Sequence, residues 1–273
     1  MKIYTSDGPI PFKQFIFPDG QPHFELQIEG HLKDGDPVTI ETAIRNPAEL
    51  FDVVLAGDAL RRAGYYPGLD IRYLMGARMD RAINNRSPFT LKVVAEVMHE
   101  DLLFRPIRIL DPHSEVALKL LNATAVYPTT ALAEALAYYT PEETTIVVPD
   151  RGALARSYNV PPSHRKCKVI QGMKLRDMAT GKLSAFAIDY PDRAKNQTCF
   201  IIDDICDGGG TFAGLGEILL KAGAKRVDLF VTHGIFSKGL PIPNIQAVYT
   251  TNSFSDSNEY WQVTKFQVDM SRM

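Results

Sequence analysis

The stretch Cys199-Phe-Ile-Ile-Asp-Asp-Ile-Cys-Asp-Gly-Gly-Gly-Thr211 decides the fold. Its leading residues, Cys199 to Ile202, are apolar without alternation, the pattern of a central parallel strand covered on both faces. Asp203 and Asp204 follow at the carboxyl end of that strand, where open α/β sheets place their ligands. Gly208, Gly209 and Gly210 then form a turn whose backbone N–H groups can crowd around an anion. A helix opening near Thr211 adds its positive end. Two carboxylates suit vicinal sugar hydroxyls, and Asp207 to Thr211 suits a phosphate, so the segment predicts a ribose-phosphate site.

Strand and helix patterns alternate on either side of this segment. Thr144 to Pro149 reads as a strand, Asp150 to Ser157 as the start of a helix, Thr211 to Ala222 as a helix, and Val227 to Thr232 as a strand. In the first half, Phe24 to His31 and Pro37 to Thr42 alternate in the β manner around the turn-rich Lys33-Asp-Gly-Asp36. Asn46-Pro-Ala-Glu49 is a helix start, and Leu50 to Ala63 continues it at helical spacing. Leu69 to Met75 and Ile107 to Asp111 read as strands, with an amphipathic helix from Pro88 to Leu103 between them. The basic, polar run Gly76 to Ser87 reads as a loop. Such alternation predicts an α/β architecture with mainly parallel sheets.

Helix 88–103 with the strand ending Asp111-Pro-His113 echoes helix 211–222 with the strand ending Val231-Thr-His233. Chance produces such echoes in α/β chains, and two similar domains in tandem would also leave one. The best boundary is Tyr127-Pro128-Thr129, giving domains 1–127 and 128–255, with the C-terminal strand region 256–273 returning to complete the first.

Composition narrows the class. At 273 residues, 45% hydrophobic and 23% charged, the chain has the make-up of a soluble globular protein of one large or two medium domains. A net charge of −2 gives no global basic field to draw in nucleic acid. The N-terminus lacks an apolar leader and no apolar run approaches membrane-spanning length, so the cytoplasm is the expected location. Cys167, Cys199 and Cys206 form neither a CxxC pair nor a disulfide framework, and the six His show no zinc spacing. Cys206 lies inside the phosphate loop, either as a small filler or as a reactive thiol.

The strand–Asp-Asp–loop segment resembles the signature of the type I phosphoribosyltransferases. Further motifs narrow the resemblance: Phe17-Pro-Asp-Gly20, Gly76-Ala-Arg-Met-Asp-Arg81 with Arg86-Ser-Pro88, Leu110-Asp-Pro-His113, Val148-Pro-Asp-Arg-Gly152, Lys174-Leu-Arg176 and Val231-Thr-His-Gly-Ile-Phe-Ser237. Their order is similar to that of the ribose-phosphate diphosphokinases, over roughly residues 15–270. The resemblance implies two tandem phosphoribosyltransferase-like domains. It also implies transfer of the β,γ-diphosphate of ATP to the anomeric hydroxyl of ribose 5-phosphate, with Mg²⁺ as cofactor and a homo-oligomer, dimer or hexamer, as the active form.

Carried over residue by residue, the resemblance gives Lys174 and Arg176 the catalytic role, on a loop through Asp177–Lys182 that closes over the diphosphate. By themselves these cations read sooner as a solvated basic hairpin, and it is the register with the family that gives them the catalytic role. His113 and Asp150, each following a strand, correspond to residues beside the Mg²⁺ ions. Phe17, Asp19, Gln21, Arg78, Asp80 and Arg81 fall on the ATP side, and the Phe17 loop on a neighbouring subunit's site. Asp203, Asp204, Asp207, Gly208, Gly209, Gly210 and Thr211 hold the ribose phosphate.

The chain departs from the family pattern at several points. Gln21 stands where a carboxylate is expected, Met79 replaces a Gln, and Gly208 replaces a Thr in the phosphate loop. Losing that hydroxyl opens space beyond the phosphate and admits a larger 5-substituted ribose such as ADP-ribose as alternative acceptor. The helix expected after a final strand Phe266–Asp269 is missing, so the family's hexamer and its regulation are not assumed. A phosphoribosyltransferase that consumes the activated sugar and a non-catalytic homologue are the remaining alternatives.

Overall fold

In a computed structural model of the chain, the described residues are 1–30, 32–33, 35–99, 104–176, 183–256 and 263–273. They divide into two compact units, Met1–Val126 with Asp269–Met273, and Tyr127–Val268.

The first unit runs β1 (Lys2–Thr5), β2 (Gly8–Pro9), the hairpin β3 (Phe12–Ile16) and β4 (Pro22–Leu26), β5 (Thr39–Ile44), α1 (Pro47–Arg62), β6 (Gly68–Leu74), α2 (Thr90–His99), β7 (Ile107–Leu110), α3 (Glu115–Leu121) and β8 (Thr124–Val126). Its sheet has the order β2-β1-β5-β6-β7-β8, parallel from β5 to β8 and antiparallel at β1 and β2. Helix α1 starts where the sequence places it: the Asn46 side chain accepts from the Glu49 N–H at 3.0 Å, and Pro47 takes the first turn, where its missing N–H costs nothing. The chain's tail is held by charge. Arg108 bonds Asp70 through Nε at 2.7 Å and the Met270 carbonyl through Nη2 at 2.7 Å, and Met270 is fully buried.

The second unit runs α4 (Thr129–Leu136), β9 (Thr144–Val148), β10 (Lys168–Arg176), β11 (Leu183–Ile188), β12 (Thr198–Cys206), α5 (Gly210–Lys221), β13 (Arg226–Gly234), β14 (Ala247–Thr251) and β15 (Val263–Phe266). The order β11-β10-β9-β12-β13-β14-β15 puts β12 in the middle, with every pair parallel except β10 with β11. The two faces explain the unbroken apolar run. Cys199 and Ile201 join the core with Leu215 and Leu219 of α5, while Phe200 and Ile202 join the core with Leu132 and Leu136 of α4. Both units are therefore mainly parallel sheets flanked by helices, as the alternation predicts.

Several expectations need correction, among them the strand Phe24–His31, of whose described residues only Phe24–Leu26 belong to a strand, β4. The last strand is Val263–Phe266, not Phe266–Asp269. It extends the second sheet beside β14, so of the 256–273 region only Asp269–Met273 return to the first unit. Parallel pairing with β14 decides this, because the partner strand lies too far along the chain for local pattern to register it. Arg151–Asn159 is a run of 3₁₀ turns, not an α-helix. Gly152 weakens helix at its start, and Pro161 and Pro162 block its extension. Strand β12 does not end at Asp203 but runs to Cys206, because β13 supplies pairing partners as far as Gly234. The stretch Leu103 of the second helix, His31 of an early strand and residues 177–182 of the basic loop fall outside the described residues.

Candidate active site

The carboxyl edge of the second sheet gathers the sequence-derived residues of that half. Asp203 and Asp204 lie in the carboxyl-terminal half of β12, two to three residues before its end, Asp150 follows the adjacent β9, and Asp207–Thr211 joins β12 to α5. Helix α5 begins at Gly210 with no side-chain cap at Gly209 and no acidic residue in its first turn, an arrangement suited to an anion at its N-terminus. Gly209 has φ +73°, and a Cβ there would stand 3.1 Å from Ile242, so both backbone and space demand glycine. Gly208 is different: a Cβ would meet only the stem of Lys238, at 3.2–3.4 Å. Gly210 opens onto free space within 4 Å.

The motif Val231–Ser237 shapes the other side of this loop. The N–H groups of Ile235 and Phe236 both donate to the Cys206 carbonyl, at 2.9 and 3.1 Å, clamping the strand end. The hydroxyl of Ser237 donates to Asp207 Oδ1 at 2.5 Å, which sets the acidic residue at the loop's entrance. Gly234 leaves room for the Phe236 ring, whose Cζ would lie 2.7 Å from any Cβ at 234. His233 is buried and contacts Ser253 Oγ through Nδ1 at 2.8 Å. Because Ser253 gives its hydroxyl proton to the Thr232 carbonyl, His233 Nδ1–H is the donor in that contact.

Charge at the site is tightly confined. Asp204 is buried at 3% exposure and pairs with Arg156 Nη2 at 3.5 Å. Burial first, and the neighbouring Asp204 second, push the Asp203 carboxyl well above the usual carboxylate range. Two adjacent acids with shifted titration, beside a glycine loop, mark a functional-site candidate. Cys206 resolves to a filler: burial pushes its thiol up to about 12, so it is not a ready nucleophile. Asp150 Oδ1 accepts from the Ala153 N–H at 3.2 Å, which anchors the 3₁₀ turns that carry Arg156.

Lys174 and Arg176 lie on β10 beyond Gln171, its last residue paired with β9. At about 3.3 Å per residue they stand roughly 10–17 Å past that point, so the β10–β11 hairpin overhangs the carboxyl edge.

In the first unit, the Arg78–Arg81 segment follows β6 and His113 follows β7. These strands are parallel neighbours, so both segments reach the carboxyl edge of the first sheet. Gly76, at φ +77°, turns the chain, and the Met79 N–H bonds the Gly76 carbonyl at 2.8 Å. Arg81 lies 4.0 Å from Asp80 on the surface, a weak pair. His113 is exposed, one residue before Ser114, which stands at the N-cap position of α3 without a side-chain capping bond. Phe17, Asp19 and Gln21 form the tip of the β3–β4 hairpin: the Gly20 N–H bonds the Phe17 carbonyl at 2.8 Å and the Gln21 N–H bonds Asp19 Oδ1 at 3.1 Å. Phe17 is 45% exposed and meets Phe15 edge-on at 5.0 Å.

Against known proteins, the chain is 28% identical over 233 residues to the ribose-phosphate pyrophosphokinase of Pyrococcus furiosus, covering 82% of this chain and 77% of that one. It is 28% identical over 268 residues to the enzyme of that name from Vibrio cholerae, covering 94% and 82%. This chain is a relative of the ribose-phosphate pyrophosphokinases. Its fold is also that of the phosphoribosylpyrophosphate synthetase from Mycobacterium smegmatis, with a TM-score of 0.78 at 20% identity over 94% of this chain and 86% of that one. No family model matches the chain.

Set within that kinship, sequence reasoning missed three residues of the site in the second unit: Arg156, Ser237 and Lys238. Each acts across the fold, on Asp204, Asp207 and Gly208 respectively, at separations of 48, 30 and 30 residues. Only Ser237 left a trace, as the end of a quoted motif. Among the described residues no helix is long and apolar enough to cross a membrane, and no cluster of three His, Cys, Asp or Glu forms a metal cage.

Proposed function

We propose that this chain is a diphosphokinase that moves the β,γ-diphosphate of ATP onto the anomeric hydroxyl of ribose 5-phosphate, giving phosphoribosyl pyrophosphate and AMP. The observation that carries the reading is the carboxyl edge of β12. Asp203 and Asp204 stand beside an uncapped helix N-terminus and a glycine loop, in a chain whose relatives bear that enzyme's name over most of its length.

In this reading the loop Asp207–Thr211 binds the 5-phosphate through backbone N–H groups and the start of α5. Asp203 and Asp204 accept from the ribose 2- and 3-hydroxyls and orient the anomeric hydroxyl toward the nucleotide. Arg156 places a positive charge 3.5 Å from Asp204 and helps orient it. Lys174 and Arg176 neutralise charge on the transferred group, and Phe17, Asp19, Gln21, Arg78, Asp80 and Arg81 hold ATP. Mg²⁺ fits this donor set in the manner usual for nucleotide enzymes, entering with the phosphates and needing one or two protein ligands instead of a full cage. By the resemblance, Asp150 in the second unit and His113 in the first would each stand beside such an ion, which would neutralise phosphate charge. Asp150 fits as an oxygen donor, the ligand type that Mg²⁺ prefers. A cytoplasmic homo-oligomer completes the reading.

A second acceptor is favoured by one contact. Gly208 carries no side chain, and the stem of Lys238 occupies the adjoining space, so a cation sits beside the phosphate loop where a hydroxyl would otherwise project. A 5-diphosphoryl ribose such as ADP-ribose suits that arrangement.

The deciding experiment is AMP release from ATP and Mg²⁺ with ribose 5-phosphate and ADP-ribose offered in parallel. AMP with ribose 5-phosphate supports the first acceptor, and AMP with ADP-ribose alone supports the second. Release with neither sinks the diphosphokinase reading. Within an active enzyme, Asp204→Ala is expected to raise the acceptor KM about 10–100-fold, the worth of a hydrogen bond to a charged group, ~1.5–3 kcal/mol. An unchanged acceptor KM would remove Asp204 from sugar binding.

A further inference from the structure

Helix α5 carries Gly214 and Gly216 in its interior, where glycine is unfavourable and its presence has a packing cause. For Gly216 the cause is Asn244, whose backbone oxygen would lie 2.8 Å from a Cβ. For Gly214 the cause lies in the overhanging hairpin. A Cβ there would overlap the ring of Phe186, with Cδ2 at 2.5 Å, so the ring sits flush on the helix backbone.

Phe186 belongs to β11 and is the direct antiparallel partner of Lys174 on β10. Gly214 is one helical turn from Gly210, the first residue of α5 and the end of the phosphate loop. A second close approach fixes the other strand of the hairpin: a Cβ on Gly172 would lie 2.7 Å from the Pro149 carbonyl and 3.3 Å from Leu215 of α5. Both strands of the hairpin therefore lean on the strand end and the helix that build the ribose-phosphate site.

We infer that Phe186, seated on Gly214, is a positioning residue that sets where the Lys174 segment stands relative to the phosphate loop. The inference rests on the diphosphokinase reading for the role of Lys174, but the contact itself does not. Where the described part of the hairpin runs past its pairing with β9, a ring keyed into a helix glycine is a contact that bears on its angle. A small displacement at that contact grows along the hairpin, and misplacing a reacting group by about 1 Å can cost about 100-fold in rate.

Three variants test this: Gly214→Ala, Phe186→Leu, and the two together. Gly214→Ala forces the ring off the helix and is expected to lower kcat about 10-fold or more with the acceptor KM changed less than about twofold. Phe186→Leu leaves a gap over Gly214 and is expected to lower kcat on its own; in the double variant the new methyl meets the smaller side chain and refills that gap, so kcat is expected to rise above that of either single variant. A purely structural role would move thermal stability without this split or this rescue. Hydrogen exchange of the amides in 171–176 and 183–188, in the absence of substrate, gives a readout independent of activity. Exchange should quicken in Gly214→Ala and return toward wild type in the double variant. Unchanged exchange, or kcat within about twofold of wild type in Gly214→Ala, overturns the inference. If wild type releases no AMP with either acceptor, the diphosphokinase reading fails, and the exchange result alone then decides whether Phe186 positions the hairpin.

Discussion

Lys174→Ala is expected to lower kcat by two to three powers of ten while leaving the melting temperature and the acceptor KM near wild type. Diphosphoryl transfer asks little covalent chemistry of a protein and much charge neutralisation, because the group in flight carries negative charge. A preorganised donor aimed at such charge is typically worth ~3–4 kcal/mol in the transition state. Lys174 stands on the part of β10 that runs beyond the strand's pairing with β9, opposite Phe186. Steady-state kinetics with saturating ATP checks the prediction. A loss under tenfold would take Lys174 out of the catalytic role, and a rise in KM at constant kcat would make it a binding residue only.

Arg156→Met is expected to cost about 3–5 kcal/mol of stability at pH 8, the usual penalty for leaving one partner of a buried ion pair uncompensated. Arg156 and Asp204 are 11% and 5% exposed at the side chain, and Asp203 lies alongside. The sign with pH follows from proton binding. Burial and Asp204 already hold the Asp203 carboxyl well above its ordinary value. Between the unfolded carboxylate pKa of about 4 and the raised folded value, the native state binds more protons than the unfolded state, so stability falls as pH rises. Removing Arg156 takes away a charge that opposes this shift, so the variant's penalty is largest at high pH and shrinks as the pair takes up a proton toward pH 5. Thermal melts at pH 5 and pH 8 give the comparison, with a shift on the order of 10 °C expected at the higher pH. An equal loss at both pH values would mean that the damage is packing around Arg156 and not charge on the carboxylate pair.

How much of this was legible beforehand depends on how local the signal is. The unbroken run Cys199–Ile202 announces a strand buried on both faces, and its residues do divide between the α5 and α4 cores. Asn46-Pro47 announces the start of α1 for an equally local reason, since cap and first turn lie within four residues. The positions of Asp150 and of the Asp203–Asp204 pair at strand ends come from the same kind of pattern. Where the reading went astray, the deciding partner was distant. Strand β12 runs on to Cys206 because β13 pairs with it to Gly234. The last strand joins the second sheet because β14 offers it an edge.

From the sequence alone came the α/β class, the strand–carboxylate–glycine-loop junction and the family likeness, because each resides in a few consecutive residues whose spacing is set by backbone geometry. Tertiary structure alone decided that Arg156 faces Asp204, that Ser237 holds Asp207, that Lys238 fills the space beside Gly208, and that Phe186 rests on Gly214. Those pairs are 28 to 48 residues apart in the chain. Their meeting depends on which strands become neighbours, and that choice is made by burial of the whole sheet rather than by any pattern within one segment.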